Sequence, residues 1–406
     1  MHHQVHFAFI IIISIFAGSD LADSFQFPKI KFIGLSNSDK YDENDPKNRV
    51  KKGPEETALL RQSLEEHCIK NVDASIRWEP QLTESYEAAQ VIFQEVAQRG
   101  NKSSCLISFP CVTRPADLDK LSSVLQSSKC KQLLGLDSVE CELYPSSPAP
   151  FIHIKFDISA IDDNAIAEDY AGDAKNAVSA TKIWLKEFLG KYRLCPYTSS
   201  ASRAAVGLAS VGVPVGGVHI QVTEPTTHAS GRTTKAARIV DAFWAEVVLL
   251  MKSSQDEWAT SLVVVPEYDD DFKSFVEVCD GIIEPTVVAT QATEVIGRAW
   301  FHPQYDADLV GHTEVIAAHA VPHEMVEGFM NSLNAEFGTE NSETIEFEEL
   351  ATANNLVRRT KHATINILRR SQLEAAAEYE KGLGAKRPKP NSIYVRNAIR
   401  LSKHNL

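Results

Sequence analysis

Thr260-Ser-Leu-Val-Val-Val265 is an apolar run too short for a globular helix, flanked by two amphipathic helical patterns, Thr234 to Lys252 and Phe272 to Ile282. A strand apolar at successive positions must be covered on both faces, and neighbouring helices are the usual cover. Val218-His-Ile-Gln-Val222 precedes this unit and a strand from Glu294 to Phe301 comes after it, giving a β-α-β-α-β order. The pattern predicts an α/β (or α+β) fold: a mixed, partly parallel sheet covered by helices, within a C-terminal domain of residues 170–406. A ferredoxin-like arrangement of strand directions is the alternative.

Upstream the periodicity is weaker. Glu55 to Ile69, Glu84 to Ala97 and Leu118 to Leu134 have helical spacing, while Cys105 to Phe109 and Phe151 to Phe156 read as strands. These elements predict a smaller N-terminal α+β domain over residues 56–160. Its boundary is marked by Pro145 to Pro150 and the acidic stretch Asp157 to Asp169. Residues 25–55 lack apolar periodicity and read as a disordered linker.

Residues 1–24 read as a signal peptide. Phe7 to Ala17 is nearly all apolar and ends in small residues, Gly18 and Ser19; it is shorter than the roughly 20 residues that cross a bilayer. No later stretch suits a stable membrane span. Ala22-Asp-Ser-Phe25-Gln-Phe-Pro28 resembles the cleavage region of bipartite plastid presequences, although Asp39, Asp42, Glu43 and Asp45 interrupt the basic-leaning stretch from Lys29 to Lys52. The expectation is the secretory route, ending extracellular, luminal or in a plastid. In an oxidising lumen, one or two disulfides among Cys68, Cys105, Cys111, Cys130 and Cys141, and glycosylation at Asn101, are expected options.

The net charge of −13 argues against nucleic acid as a partner, because a broadly negative protein is repelled by phosphate. Thr352 to Leu406 nevertheless holds twelve Lys and Arg against three acids. Such a segment docks on the acidic remainder of its own chain, gathers a small anionic ligand, or grips a protein partner.

Polar residues gather after three elements: Cys195-Pro196-Tyr197, Pro266-Glu267-Tyr268 and Phe301-His302-Pro303-Gln304-Tyr305. In open α/β sheets ligands bind beyond the carboxyl ends of strands. Parallel strands would bring Glu267 and His302 to one edge, with Cys195 facing them. A thiolate is the nucleophilic form of cysteine, and a neighbouring imidazolium favours it, so Cys195 and His302 make a candidate catalytic pair with Glu267 or Asp306 as the orienting group. The bland alternative is a buried thiol and a histidine that caps a strand.

Three of these segments also resemble the family catalogued as domain of unknown function 1415, over roughly residues 184–401. The resemblance rests on Leu194 to Tyr197, Val263 to Pro266, Phe301 to Tyr305 and the pair Arg396-Asn397. As ligand-binding residues for a small anion, Tyr305, Arg359, Arg396 and Asn397 are the expectation. The chain departs from the family where a helix is expected to open: it keeps Arg359 and Thr364 but has Lys361, His362 and Ala363 between them, and Asn366 where a histidine is usual. Arg358, His362 and Arg369 are spaced as a basic stripe on that helix, with Ile365, Ile367 and Leu368 behind.

No metal and no cofactor is assigned. His302, His312, His319, His323 and Glu324 form a histidine-rich span, but Pro322 breaks the helix that would align the pair at 319 and 323. The glycines at 207, 212, 216 and 217 precede a strand and do not spell a dinucleotide fingerprint. The leading expectation is an enzyme acting on a small anionic metabolite through a Cys/His site. The alternative is a non-catalytic binding or assembly module whose basic C-terminal helix docks a protein partner.

Overall fold

The computed structural model describes residues 54–71, 76–99, 102–143, 146–147, 149–157, 174–195, 197–198, 200–223, 233–306, 352–353, 355–382 and 401. The segment expected as a signal peptide (residues 1–24), the expected linker up to residue 53, the Asp157–Asp169 boundary beyond residue 157, the His312–Glu324 span, and Arg396 with Asn397 lie outside the described residues, while residues 54 and 55 of the expected linker open a helix.

The N-terminal elements are α1 (Pro54–Asn71), β1 (Ile76–Trp78), α2 (Ser85–Ala97), β2 (Ser104–Ser108), α3 (Pro115–Leu125), α4 (Ser128–Leu134), β3 (Leu136–Glu142) and β4 (Phe151–Phe156). They build a four-stranded sheet in the order β1-β2-β4-β3, with β1 parallel to β2 and the other pairs antiparallel. The single helix expected over Leu118 to Leu134 is two helices: the first ends at Leu125, and Ser127 caps the second by accepting the Cys130 amide. The strands of residues 76–78 and 136–142 escape a period-two reading, because one is very short and the other carries a register shift between Leu136 and Ser138.

The C-terminal elements are α5 (Ala174–Leu185), β5 (Arg203–Ala204), β6 (Gly216–Val222), α6 (Lys235–Lys252), β7 (Trp258–Val264), α7 (Phe272–Val278), α8 (Glu284–Ala289), β8 (Ile296–Phe301), β9 (Thr364–Arg369) and α9 (Arg370–Gly382). Their five-stranded sheet runs β5-β6-β7-β9-β8. It is mixed and partly parallel: β6 and β7 are parallel, whereas β9 runs antiparallel to both β7 and β8. Since β9 lies between them, β7 and β8 point the same way and their carboxyl ends share one edge.

The basic helix expected across Arg358 to Arg370 is instead β9. Ile365 and Ile367 pack on one face, Leu368 on the other, and all three are buried. A central strand covered on both sides loses its alternation in sequence, and Thr-Ile-Asn-Ile is β-branched at three of four positions. The expected stripe is dispersed accordingly. Arg369 donates from Nε to the Trp258 carbonyl (3.1 Å) and from Nη2 to the Ser253 carbonyl (2.9 Å), at the end of the sheet opposite Arg359.

Helices α6, α7 and α8 cover one face of the five-stranded sheet, and α5 and α9 cover the other. Helix α6 begins at a Thr234 cap whose hydroxyl accepts the Ala237 amide (3.1 Å), and it buries Ala236, Ala237, Ile239, Val240, Phe243, Trp244 and Val247 at three-to-four-residue spacing. That face continues into the N-terminal half. Phe93 of α2 stacks on Trp244 with ring centroids 6.4 Å apart, the Cys130 thiol donates to the Gly281 carbonyl (3.3 Å), and Gln291 donates to Asp117 (3.2 Å). Leu64 of α1 packs on the far face of the four-stranded sheet with Leu106 and Phe151. The layers therefore run helix, sheet, a shared helical core, sheet, helix.

Cys105, Cys111, Cys130 and Cys141 are unbonded, which corrects the expectation of bridges among them. Cys105 on β2 and Cys141 on β3 are separated by the whole of β4, and burial pushes both thiols up to about 12. The glycine that opens β6 serves close packing: a Cβ at Gly216 would lie 1.9 Å from the Gln255 carbonyl oxygen.

Candidate functional site

The carboxyl ends of β6, β7 and β8, the start of α6 and the chain entering β9 meet at one edge of the five-stranded sheet. Thr223 donates its amide to the Val264 carbonyl (2.9 Å), Val265 donates to the Ala363 carbonyl (2.8 Å), and His302 donates its amide to the Arg358 carbonyl (3.0 Å). The first bond ties the chain after β6 to the end of β7, and the other two tie the chain after β7 and after β8 to the segment before β9.

Glu267 lies on the 3-10 turn Pro266–Tyr268 that follows β7. Its Oε2 accepts from Arg238 Nη2 (2.5 Å), in the first turn of α6, and both side chains are mostly buried, 10% and 16% exposed. The pair is only half satisfied. Glu267 Oε1, Arg238 Nε and the neighbouring Thr233 hydroxyl are buried without a hydrogen-bond partner. Buried polar atoms are nearly always paired, so each of these leaves a hydrogen bond open to a water or a ligand group. One turn further along α6, burial pushes the Asp241 carboxyl up to about 6.

His302 reaches the expected edge, yet its chemistry is spent on the backbone. Nε2 donates to the Tyr268 carbonyl (2.7 Å) and Nδ1 accepts the Gln304 amide (3.0 Å). The residue is fully buried between Phe272 and Phe275, whose ring centroids lie 4.9 and 5.4 Å away, and burial lowers its pKa. Cys195 belongs to the opposite face. It packs with Leu194, Tyr197, Leu262 and Val264, and burial pushes its thiol up to about 11 despite hydrogen bonds from Tyr197 and Thr198. The expected thiolate and imidazolium pair is therefore not assembled: the sheet stands between the two groups, and desolvation disfavours the charged form of each.

Tyr305 is buried on the α7 side, beneath the Arg358 guanidinium (5.1 Å to its ring), with its hydroxyl unpaired. Arg359 is exposed at the same edge. Its Nε donates to the Tyr305 carbonyl (3.2 Å), and its own carbonyl accepts the Trp184 indole (3.1 Å). Asp306 accepts from Asn355 (3.3 Å). The edge thus brings together Glu267, His302, Tyr305 and Arg359, and leaves Cys195 on the other face.

Two imidazole–carboxylate pairs were not anticipated. His362 Nδ1 meets Asp269 Oδ2 at 2.7 Å at the sheet edge, and the other Asp269 oxygen accepts the Ala363 amide (2.8 Å). His219 on β6 meets Glu246 of α6 at 2.6 Å, and Glu246 also accepts the hydroxyl of Ser261, the cross-strand neighbour of His219. The sequence signal for His362 was its intrusion into the family pattern. Arg238 and Glu246 carried none beyond membership of an amphipathic helix. Among the described residues no three His, Cys, Asp or Glu side chains gather as a metal site.

No curated protein and no solved structure matches the chain. Residues 176–314 match the model of the family described as "Protein of unknown function (DUF1415)", a stretch that contains Cys195, Arg238, Glu267, His302 and Tyr305 and ends before Arg359 and His362, and over it the chain resembles that family.

Proposed function

We propose that the chain binds and acts on a small anionic metabolite at the carboxyl edge of the five-stranded sheet. The observation that carries this reading is the half-satisfied Arg238–Glu267 pair at the N-terminus of α6. A helix N-terminus favours negative charge, and the Lys235 and Arg238 side chains of its first turn add to that field. Arg238 retains a donor and Glu267 an acceptor, and Arg359 is exposed on the same sheet edge, against the Tyr305 carbonyl. A small carboxylate or phosphate that also carries a hydroxyl or amino donor satisfies both halves. The role of thiol nucleophile is dropped from the proposal, because Cys195 lies across the sheet.

The docking-module alternative rests on the basic residues after 382, all of which lie outside the described residues. Arg369, within them, is already bound to the turn between α6 and β7. Carriage into the secretory route remains part of the proposal on the strength of Phe7 to Ala17.

The test is thermal unfolding of the full chain with inorganic phosphate, malonate or pyruvate, beside an Arg238→Gln variant. Stabilisation by at least one anion, lost in the variant, supports the reading. No stabilisation by any of the three overturns it.

A further inference from the structure

We propose that His362 is the acid–base group of the edge site and exchanges a proton with the bound anion, with Asp269 as the residue that positions it; this rests on the reading of the edge as a small-anion site. Three observations carry it. The Asp269 carboxylate is held at both oxygens, by the His362 ring at 2.7 Å and by the Ala363 amide at 2.8 Å. A carboxylate clamped in this way fixes the imidazole's orientation and places the ring proton on Nδ1, which leaves Nε2 as an acceptor. The His362 side chain is 19% exposed, and Asp269 is its bonded partner through Nδ1, so the other nitrogen is the one available to a ligand. Finally, Asp269 comes two residues after Glu267 on the same connection after β7, so this imidazole and the half-satisfied ion pair flank one turn.

The contrast with His302 makes the assignment specific. That ring has the same edge position but both nitrogens are bonded to backbone and the residue is fully buried, so it has no route to a ligand proton. In the proposed step, Nε2 of neutral His362 takes a proton from the ligand or its bound water. The electron pair of the broken bond stays on the ligand, whose negative charge faces Lys235 and Arg238. The imidazolium is balanced by Asp269, and the proton returns to the ligand, so no oxidant, reductant or second substrate is consumed. The ligand class is a small carboxylate or phosphate with an ionisable hydrogen. The charged groups on and against this turn are Glu267, Arg238 and Lys235, with Asp269, Asp270 and Asp271 following it in the chain and Arg358, Arg359 and Lys361 preceding His362; Asp271 is already used as the cap of α7.

Proton linkage tests the assignment without knowledge of the natural ligand. Calorimetry of the full chain with malonate, inorganic phosphate and pyruvate, in buffers of different ionisation enthalpy near pH 7, reports protons taken up per anion bound. An anion next to Nε2 favours the imidazolium, so the wild type is expected to take up a fraction of a proton. His362→Asn should bind the same anion with that uptake abolished, and Asp269→Asn should shift the pH at which uptake is maximal. Uptake that persists in His362→Asn, or binding without uptake in the wild type, overturns the proposal while the anion site stands. Failure of all three anions to bind overturns the site and the proposal together.

Discussion

On one face of the five-stranded sheet, Cys195 lies in an apolar layer with Leu194, Tyr197, Leu262 and Val264; on the other, within a few residues of the same strand ends, lie Arg238, Glu267, His302 and Tyr305. Cys195 on the one side and Glu267, His302 and Tyr305 on the other stand in unusual polar motifs of the sequence, and both groups sit near the carboxyl edge. What separates them is the pleat. Val263 and Val265 face α6 and α7, and Leu262 and Val264 face α5 and α9, so a motif's distance from the strand end says where it is along the sheet and not which side it serves. The polar face is also the one shared with the N-terminal half, which makes that half part of the site's support.

The largest effect should come from breaking that shared face. Trp244→Ala removes a fully buried ring that stacks on Phe93, and a loss of about 3–5 kcal/mol is expected from the cavity it leaves. Because the core is continuous, circular dichroism and tryptophan fluorescence should report one transition for both halves. Two separate transitions would show that the layers fold independently.

His302→Ala comes next. It deletes a buried ring and leaves the Gln304 amide unpaired, while the Tyr268 carbonyl keeps only the Asp271 amide (2.9 Å), at a cost of about 2–4 kcal/mol. The pH dependence has a defined sign. Burial lowers the folded pKa of His302 below its unfolded value near ~6.5, so its stabilising contribution is full above that pH and is lost as pH falls towards the folded value. The gap between wild type and variant should therefore shrink from pH 7 to pH 5 in urea titrations. Asp241, raised to about 6, acts in the opposite direction and cancels in that difference. A constant gap would show that His302 does not titrate with unfolding.

Glu267→Gln has a smaller expected cost. It leaves Arg238 with a neutral acceptor in a mostly buried place, and about 1–3 kcal/mol of stability should go, measured at pH 7 by denaturant unfolding. Raised stability instead would show that the carboxylate is kept for its ligand at a cost to the fold, a result that sharpens the contrast between the two faces.

Period and chemistry decide how much of this was legible in the sequence. The β6-α6-β7 unit was plain because Thr234 to Lys252 has one apolar stripe and Leu262 to Val265 is apolar throughout. Strand β9 was misread as a helix because its buried faces erase alternation and its flanking arginines mimic a helical stripe. The strand-end positions of Glu267, His302 and Tyr305 were readable from motif position, whereas Arg359 was expected at the opening of a helix. Their partners were not: Arg238 is 29 residues from Glu267 and Asp269 is 93 from His362, and only the closing of the sheet supplies those pairs.

The smallest effect is expected at Cys195, and it decides whether the two faces are chemically separate. A buried thiol pushed up to about 11 is almost entirely protonated at neutral pH, and the thiolate is the reactive form. Iodoacetamide should therefore label Cys195 slowly in the folded chain at pH 7–8, with mass spectrometry of the Cys195 peptide as the readout. Cys195→Ala should cost only about 1–2 kcal/mol as a small buried hydrophobe, without loss of any anion response. The informative comparison is the labelling rate in His302→Ala under conditions where that variant remains folded. An imidazolium paired with the thiol would accelerate labelling in the wild type and its removal would slow it, whereas a sheet between the groups predicts equal rates. Slower labelling in the variant would place the two side chains together and return the thiol to the chemistry of the edge.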